Sequence, residues 1–306
     1  MAKNLFSVGI SVDYIQRNNS DESAEQQTSK VVQVMKDCTI SIVTKMRSNS
    51  VGRTRHVTSV WATSDDRTVR LQQQCGCQSS PTADYGMLTI LAVDDDTEII
   101  PYTVWGKTTS VVLRVPTELR YHDVDLLDKP LSTAKTSWVN YHFRDDQGSM
   151  TFQSALMWKR LLYSFRTRRT MLSHEGFVMS TFSFQEQLCG LENLRLWRDD
   201  EAGSTIAMIQ YSPRFHEGYI SFRLSGPGTI AKAVDDGERW VKIKGLNIVI
   251  KPKCVSVTTS PNPSSPDGGS RSKKTEPKNI RAIRVDFSSS EEKYKFLEVC
   301  GRAKGG

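Results

Sequence analysis

The chain has 306 residues, with 41 Lys and Arg against 34 Asp and Glu, for a formal charge of +7. Hydrophobic residues make up 38% and charged residues 25%. That is enough apolar material for packed cores, so a wholly disordered chain is excluded. The length suits two domains of about 150 residues each.

No segment reads as a membrane span. The longest apolar run, Met87–Val93, is far shorter than the roughly 20 residues a spanning helix needs. The first residues, MAKNLFSVGISVD, are apolar only briefly before Asp13, so a cleaved secretion signal is not expected. Arg17 to Lys30 is polar and lacks aromatic or branched apolar residues, which makes 1–36 a partly disordered N-terminal segment.

Short strand signals follow. Thr39–Lys45 is rich in β-branched residues, with Ile40 and Ile42 on one face. Val57–Thr63, Thr68–Gln73, Met87–Val93, Glu98–Val104 and Val111–Val115 continue the series, with turn chemistry at Ser64–Arg67 and Asp94–Asp96. A polar stretch, Pro116–Lys135, intervenes before a strand at Trp138–Phe143. The apolar period then changes from two to 3.6, predicting a helix from Ser149 to Arg169 capped within Asp146–Ser149. The second half repeats the plan. Strands are expected at Val178–Phe184, Leu194–Trp197, Ile206–Tyr211, Tyr219–Leu224, Trp240–Ile243, Asn247–Ile250, Val255–Thr258 and Ile280–Phe287. A Ser/Pro/Gly-rich disordered loop is expected at 259–279, and a closing helix at Glu291–Cys300 capped by Ser290.

The two endings overlay at a constant offset of 144 residues: Val139, Tyr141 and Phe143 on Ile283, Val285 and Phe287, and Phe152 on Phe296. Two copies of one module account for this, with boundaries at 37–170 and 171–306.

Seven short antiparallel strands closed by one amphipathic helix resemble the pleckstrin-homology-like superfamily. The closing segment Ser288–Leu297 is similar to the ends of such domains, where acidic residues precede an aromatic. Phe152 and Phe296 stand where Trp is common. The segment Phe152–Met171 also resembles uncharacterised filamentous-fungal proteins. The resemblance implies an α+β class of mainly β structure: two tandem seven-stranded split barrels, each plugged by a C-terminal helix.

It also implies a site. Phosphoinositide-binding members surround the phosphates with a Lys ending one strand and an Arg-x-Arg opening the next. Here Lys45 and Arg47 precede the loop Ser48–Gly52, and Arg53 and Arg55 follow it. Alternation puts Arg53 and Arg55 on one strand face, with Lys45 across the hairpin, a grouping suited to a multiply charged phosphate. An exposed hairpin of solvated charges is the competing reading. The second half lacks this pattern, carrying Glu186, Glu192, Arg195 and Arg198 instead. A second basic group, Lys159, Arg160, Arg166, Arg168 and Arg169, is expected at the end of the first helix. There it would complement the helix dipole or extend an anionic-membrane surface. Arg271, Lys273 and Lys274 fall in the expected loop.

Catalytic signatures are missing. Neither G-x-S-x-G, the phosphate-binding G-x-x-x-x-G-K-[ST], G-x-G-x-x-G nor H-E-x-x-H occurs. His174-Glu175-Gly176 and His216-Glu217-Gly218 lack the second His of a zinc site. Cys75-Gly-Cys77 is too closely spaced for a zinc pair, so neither metal nor cofactor is expected. The sequence therefore reads as a non-enzymatic, cytoplasmic adaptor, peripheral at membranes. Its expected partners are anionic phospholipid and another protein rather than nucleic acid. A protein-binding scaffold without lipid, and nucleic-acid binding through the basic patches, are the alternatives.

Overall fold

The computed structural model describes residues 2–4, 10–17, 29–48, 54–64, 69–78, 100–113, 117–123, 132–136, 139–173, 185–211, 218–249 and 279–302. Alternation of apolar and polar residues over β-branched runs gives mostly β structure with two helices, an α+β class.

In the first half the strands are β1 (Ala2–Asn4), β2 (Ile10–Arg17), β3 (Ser29–Ser48), β4 (Thr54–Ser64), β5 (Val69–Gln78), β6 (Pro101–Thr103), β7 (Ser110–Leu113), β8 (Thr117–Asp123), β9 (Ser132–Thr136) and β10 (Val139–His142), followed by helix α1 (Asp146–Met157). The second half holds β11 (Arg160–Ser173), β12 (Gln185–Cys189), β13 (Glu192–Asp199), β14 (Ser204–Tyr211), β15 (Gly218–Ser225), β16 (Lys232–Asp235), β17 (Trp240–Val249), β18 (Asn279–Phe287) and α2 (Ser290–Arg302).

Each half builds one antiparallel sheet. The first runs β6-β7-β10-β2-β3-β4-β5-β8-β9, with β1 also on β3. The second runs β15-β14-β13-β11-β18-β17-β16, with β12 also on β11. Set β1, β8 and β9 of the first half and β12 of the second aside and number the seven remaining strands within each half: the two spatial orders then coincide, with the first strand beside the seventh. Neither sheet is a closed barrel, since the end strands do not pair with each other among the described residues.

The 144-residue offset reappears in the packing. Phe143 and Phe152 stack at 5.1 Å and 45°, and Phe287 and Phe296 at 5.1 Å and 40°. Phe152 and Phe296 are both buried under their sheets, as the overlay predicts. Around Phe152 lie Ile40, Ile42, Val60, Val111, Leu113 and Tyr141. Around Phe296 lie Phe165, Leu194, Val241, Ile243, Ile283 and Val285. Burying one such phenyl ring contributes about 2–3 kcal/mol. Ser149 and Lys293 are equivalent positions, and both are buried: Ser149 bonds the Thr108 carbonyl at 2.6 Å, while Lys293 reaches Asp235 at 2.9 Å.

Several expectations need correction. The first helix ends at Met157 instead of running to Arg169, and Asp145 caps it by accepting from Gly148 N at 2.7 Å. Trp158 stops it in the left-handed region at φ 54°. Beyond it, Phe165 and Thr167 are buried while Arg166 and Arg168 are exposed, the period of a strand. This strand, β11, pairs with β13 and β18 of the second sheet, so 160–170 belongs to the second half by pairing. Residues 10–17 and 29–36, placed before the first module, are strands of its sheet. The polar stretch 116–135 holds β8 and β9, and β16 was not anticipated. The two segments expected at 240–250 are one strand, β17. Ser289 rather than Ser290 accepts from Glu292 N at the start of α2, at 3.2 Å. The expected strands at 87–93, 178–184 and 255–258, the loop 259–279 up to residue 278, the first HEG tripeptide, and His216 and Glu217 of the second lie outside the described residues.

Candidate functional site

The basic hairpin is formed by β3 and β4. Eleven residue pairs run without a shift from Cys38 opposite Ser64 to Ser48 opposite Thr54. Within this ladder Arg47 stands opposite Arg55, and Lys45 opposite Val57. Lys45, Arg47 and Arg55 thus share one parity. The other parity holds Ile40, Ile42, Val60 and Ala62, which are buried in the core. Arg53 lies outside the described residues.

The second basic group is not one patch. The turn after α1 and the length of β11 separate its members, and acids from other elements hold most of them. Lys159 reaches Asp199 at 3.2 Å, Arg160 reaches Asp200 at 3.2 Å, and Arg169 lies 3.7 Å from Asp286. Arg166 is clamped by Glu292 of α2, which accepts from Arg166 Nε at 2.7 Å and from its backbone N–H at 2.6 Å. Arg168 is exposed where the β11–β18 register shifts. These are structural ion pairs rather than the single surface the sequence suggested.

A region that sequence reasoning missed joins the two halves. Strand β13 is buried on both faces from Glu192 to Trp197. Leu194 and Leu196 enter their own core, while Asn193, Arg195 and Trp197 face the first half. Asn193 Nδ2 donates to the Thr103 carbonyl at 2.9 Å. Arg195 is 1% exposed. It donates to the Pro101 carbonyl, to Gln153 Oε1 of α1 at 3.1 Å and to Gln210 Oε1 at 3.3 Å, and lies 5.7 Å from the Trp197 ring. Burial lowers its guanidinium to about 10, with nearby Glu192 opposing the fall, so it stays charged at neutral pH. Trp197 packs with Ile100, Met157, Leu161 and Met208 into an apolar cluster drawn from both halves. The local signal is the large apolar Trp197 on the parity of β13 opposite Leu194 and Leu196.

Beside this junction lies a cavity of about 390 Å³ whose wall includes Asp146, Gln153, Tyr163, Ser164 and Lys295. Ser164 Oγ has no hydrogen-bond partner there, and Lys295 Nζ sits 5.0 Å from the Tyr163 ring. Met150, Leu161 and Leu162 complete the wall, which is apolar over most of its area.

Burial pushes the Cys189 thiol up to about 12, so it stays protonated at neutral pH. No group of three or more His, Cys, Asp or Glu side chains stands together as a metal set among the described residues. No helix among them is long and apolar enough to cross a membrane. No family model matches the chain, and comparison with curated proteins and with solved structures gave no match.

Proposed function

We propose that the chain is a non-enzymatic adaptor built from two pleckstrin-homology-like modules, the first of which uses its β3–β4 hairpin to hold a phosphorylated headgroup at an anionic membrane. The observation that carries this reading is the shared strand order of the two sheets, each ending in a helix whose buried phenylalanine packs on the last strand. The hairpin register supports the ligand. Arg47 and Arg55 form a directly opposed like-charged pair, with Lys45 two positions along, and such a pairing costs stability unless an anion offsets it. The protein would work in the cytoplasm and reach the membrane surface through this hairpin, with a protein partner bound elsewhere on the chain.

Sedimentation with phosphoinositide-containing vesicles tests the reading. The parent should co-sediment, and the triple variant Lys45→Ala, Arg53→Ala, Arg55→Ala should lose that binding. Equal binding by the two proteins, or none by the parent, would remove the lipid role and leave a protein-binding scaffold.

A further inference from the structure

In β17 and β18 the side chains of Val241, Ile243, Ile283 and Val285 point inward and are fully buried. The opposite parity carries Trp240, Lys242 and Lys244 on β17 and Arg284 on β18. The register sets Lys242 against Arg284, and Lys244 against Lys232 of β16. Two like-charged pairs therefore stand directly across neighbouring ladders, an arrangement that destabilises a sheet by itself. Lys232 and Lys244 are exposed, and Lys242 and Arg284 are partly so.

Two acids on this face, Asp286 and Asp236, are already engaged. Asp286 is buried with Arg169 at 3.7 Å and Arg239 at 3.5 Å, and Asp236 takes Arg284 Nε at 2.5 Å. Glu238 is exposed in the turn before β17. Arg284 and Arg169 lie 4.8 and 5.6 Å from the Trp240 ring. At the Lys244 end stands Ile230, 80% exposed. Gly245 permits this close approach: with φ +73°, a Cβ there would fall 2.6 Å from the Ile230 carbonyl.

We propose that this outer face of β16, β17 and β18 docks on an anionic membrane. Charge complementarity selects a polyanionic partner, and two further observations select a bilayer over nucleic acid. An isoleucine exposed at the rim of a cationic face gives the apolar insertion that, with the charges, makes a two-part membrane anchor. The Trp240 ring is flanked by guanidinium groups, which leaves it poorly placed to stack on a base. The surface is separate from the hairpin and does not depend on it.

The test uses the full chain and phosphatidylcholine vesicles containing phosphatidylserine, with no phosphoinositide. The double variant Lys242→Glu, Lys244→Glu turns both like-charged pairs into opposite ones, so its melting temperature should not fall, while vesicle binding should weaken about tenfold or more. Ile230→Ser should weaken binding severalfold without loss of stability. The hairpin variant Lys45→Ala, Arg53→Ala, Arg55→Ala should still bind these vesicles, which separates failure of this face from failure of the hairpin. Undiminished binding by the double variant, no binding by the parent, or preferential binding of a single-stranded oligonucleotide would overturn the proposal.

Discussion

The second sheet holds two arginine–tryptophan pairs with opposite surroundings. Arg195 lies 5.7 Å from the Trp197 ring two positions along β13, and Arg284 of β18 lies 4.8 Å from the Trp240 ring diagonally across on β17, both on the outer face. The first half of the molecule covers the Arg195–Trp197 pair, leaving Arg195 1% and Trp197 0% exposed. The second pair remains partly open, beside exposed lysines. The same two residue types therefore do different work. Where the other half of the molecule removes water, the guanidinium becomes a structural pin whose hydrogen bonds must all be kept. Where water remains, the guanidinium pairs with Asp236 at the surface, is screened and contributes little to stability.

Substitutions should separate the pairs. Trp197→Ala should cost about 3–5 kcal/mol in chemical denaturation, and Trp240→Ala about 1 kcal/mol. Equal costs would break the contrast. Arg195→Ala leaves the Pro101 carbonyl, Gln153 and Gln210 without their donor, and should cost about 3 kcal/mol. Arg284→Ala should stay within about 0.5 kcal/mol while lowering vesicle binding.

A smaller effect is expected from Lys293, buried in α2 against the half-exposed Asp235. Their hydrogen bond holds the Asp235 carboxyl below its ordinary range and the Lys293 ammonium above its own. The Asp235 contribution is therefore fully present above the usual carboxylate pKa and lost as pH falls through its lowered value. The Lys293 contribution is fully present below the usual lysine pKa and lost as pH rises through its raised value. The stability difference between parent and Lys293→Met, followed as melting temperature against pH, should thus shrink at both extremes. A difference independent of pH would contradict the pairing.

Much of this was legible in the sequence, for identifiable reasons. The offset linking Phe152 to Phe296 was readable because a buried aromatic nine residues after a strand-end phenylalanine survives as a pattern whatever surrounds it. The β3–β4 hairpin was readable because β-branched residues alternate on both sides of a polar turn. The end of α1 was not. Leu162 and Tyr163 fit a helical face, while Leu161, Phe165 and Thr167 fit a strand, and only pairing with β13 and β18 decides between them. The basic face on β16–β18 escaped notice because its charges are far apart in sequence and the ladder register brings them together. Arg195 looks in the sequence like a hairpin charge, because cover by the other half of the molecule leaves no local mark beyond the neighbouring Trp197.

The most direct test of the contrast is equilibrium unfolding of the parent and Arg195→Ala, followed by tryptophan fluorescence and far-ultraviolet circular dichroism together. If Arg195 pins the two halves of the molecule together, the parent unfolds in a single transition by both probes, and the variant separates into two transitions. Two transitions in the parent, or a single unshifted transition in the variant, would contradict the account.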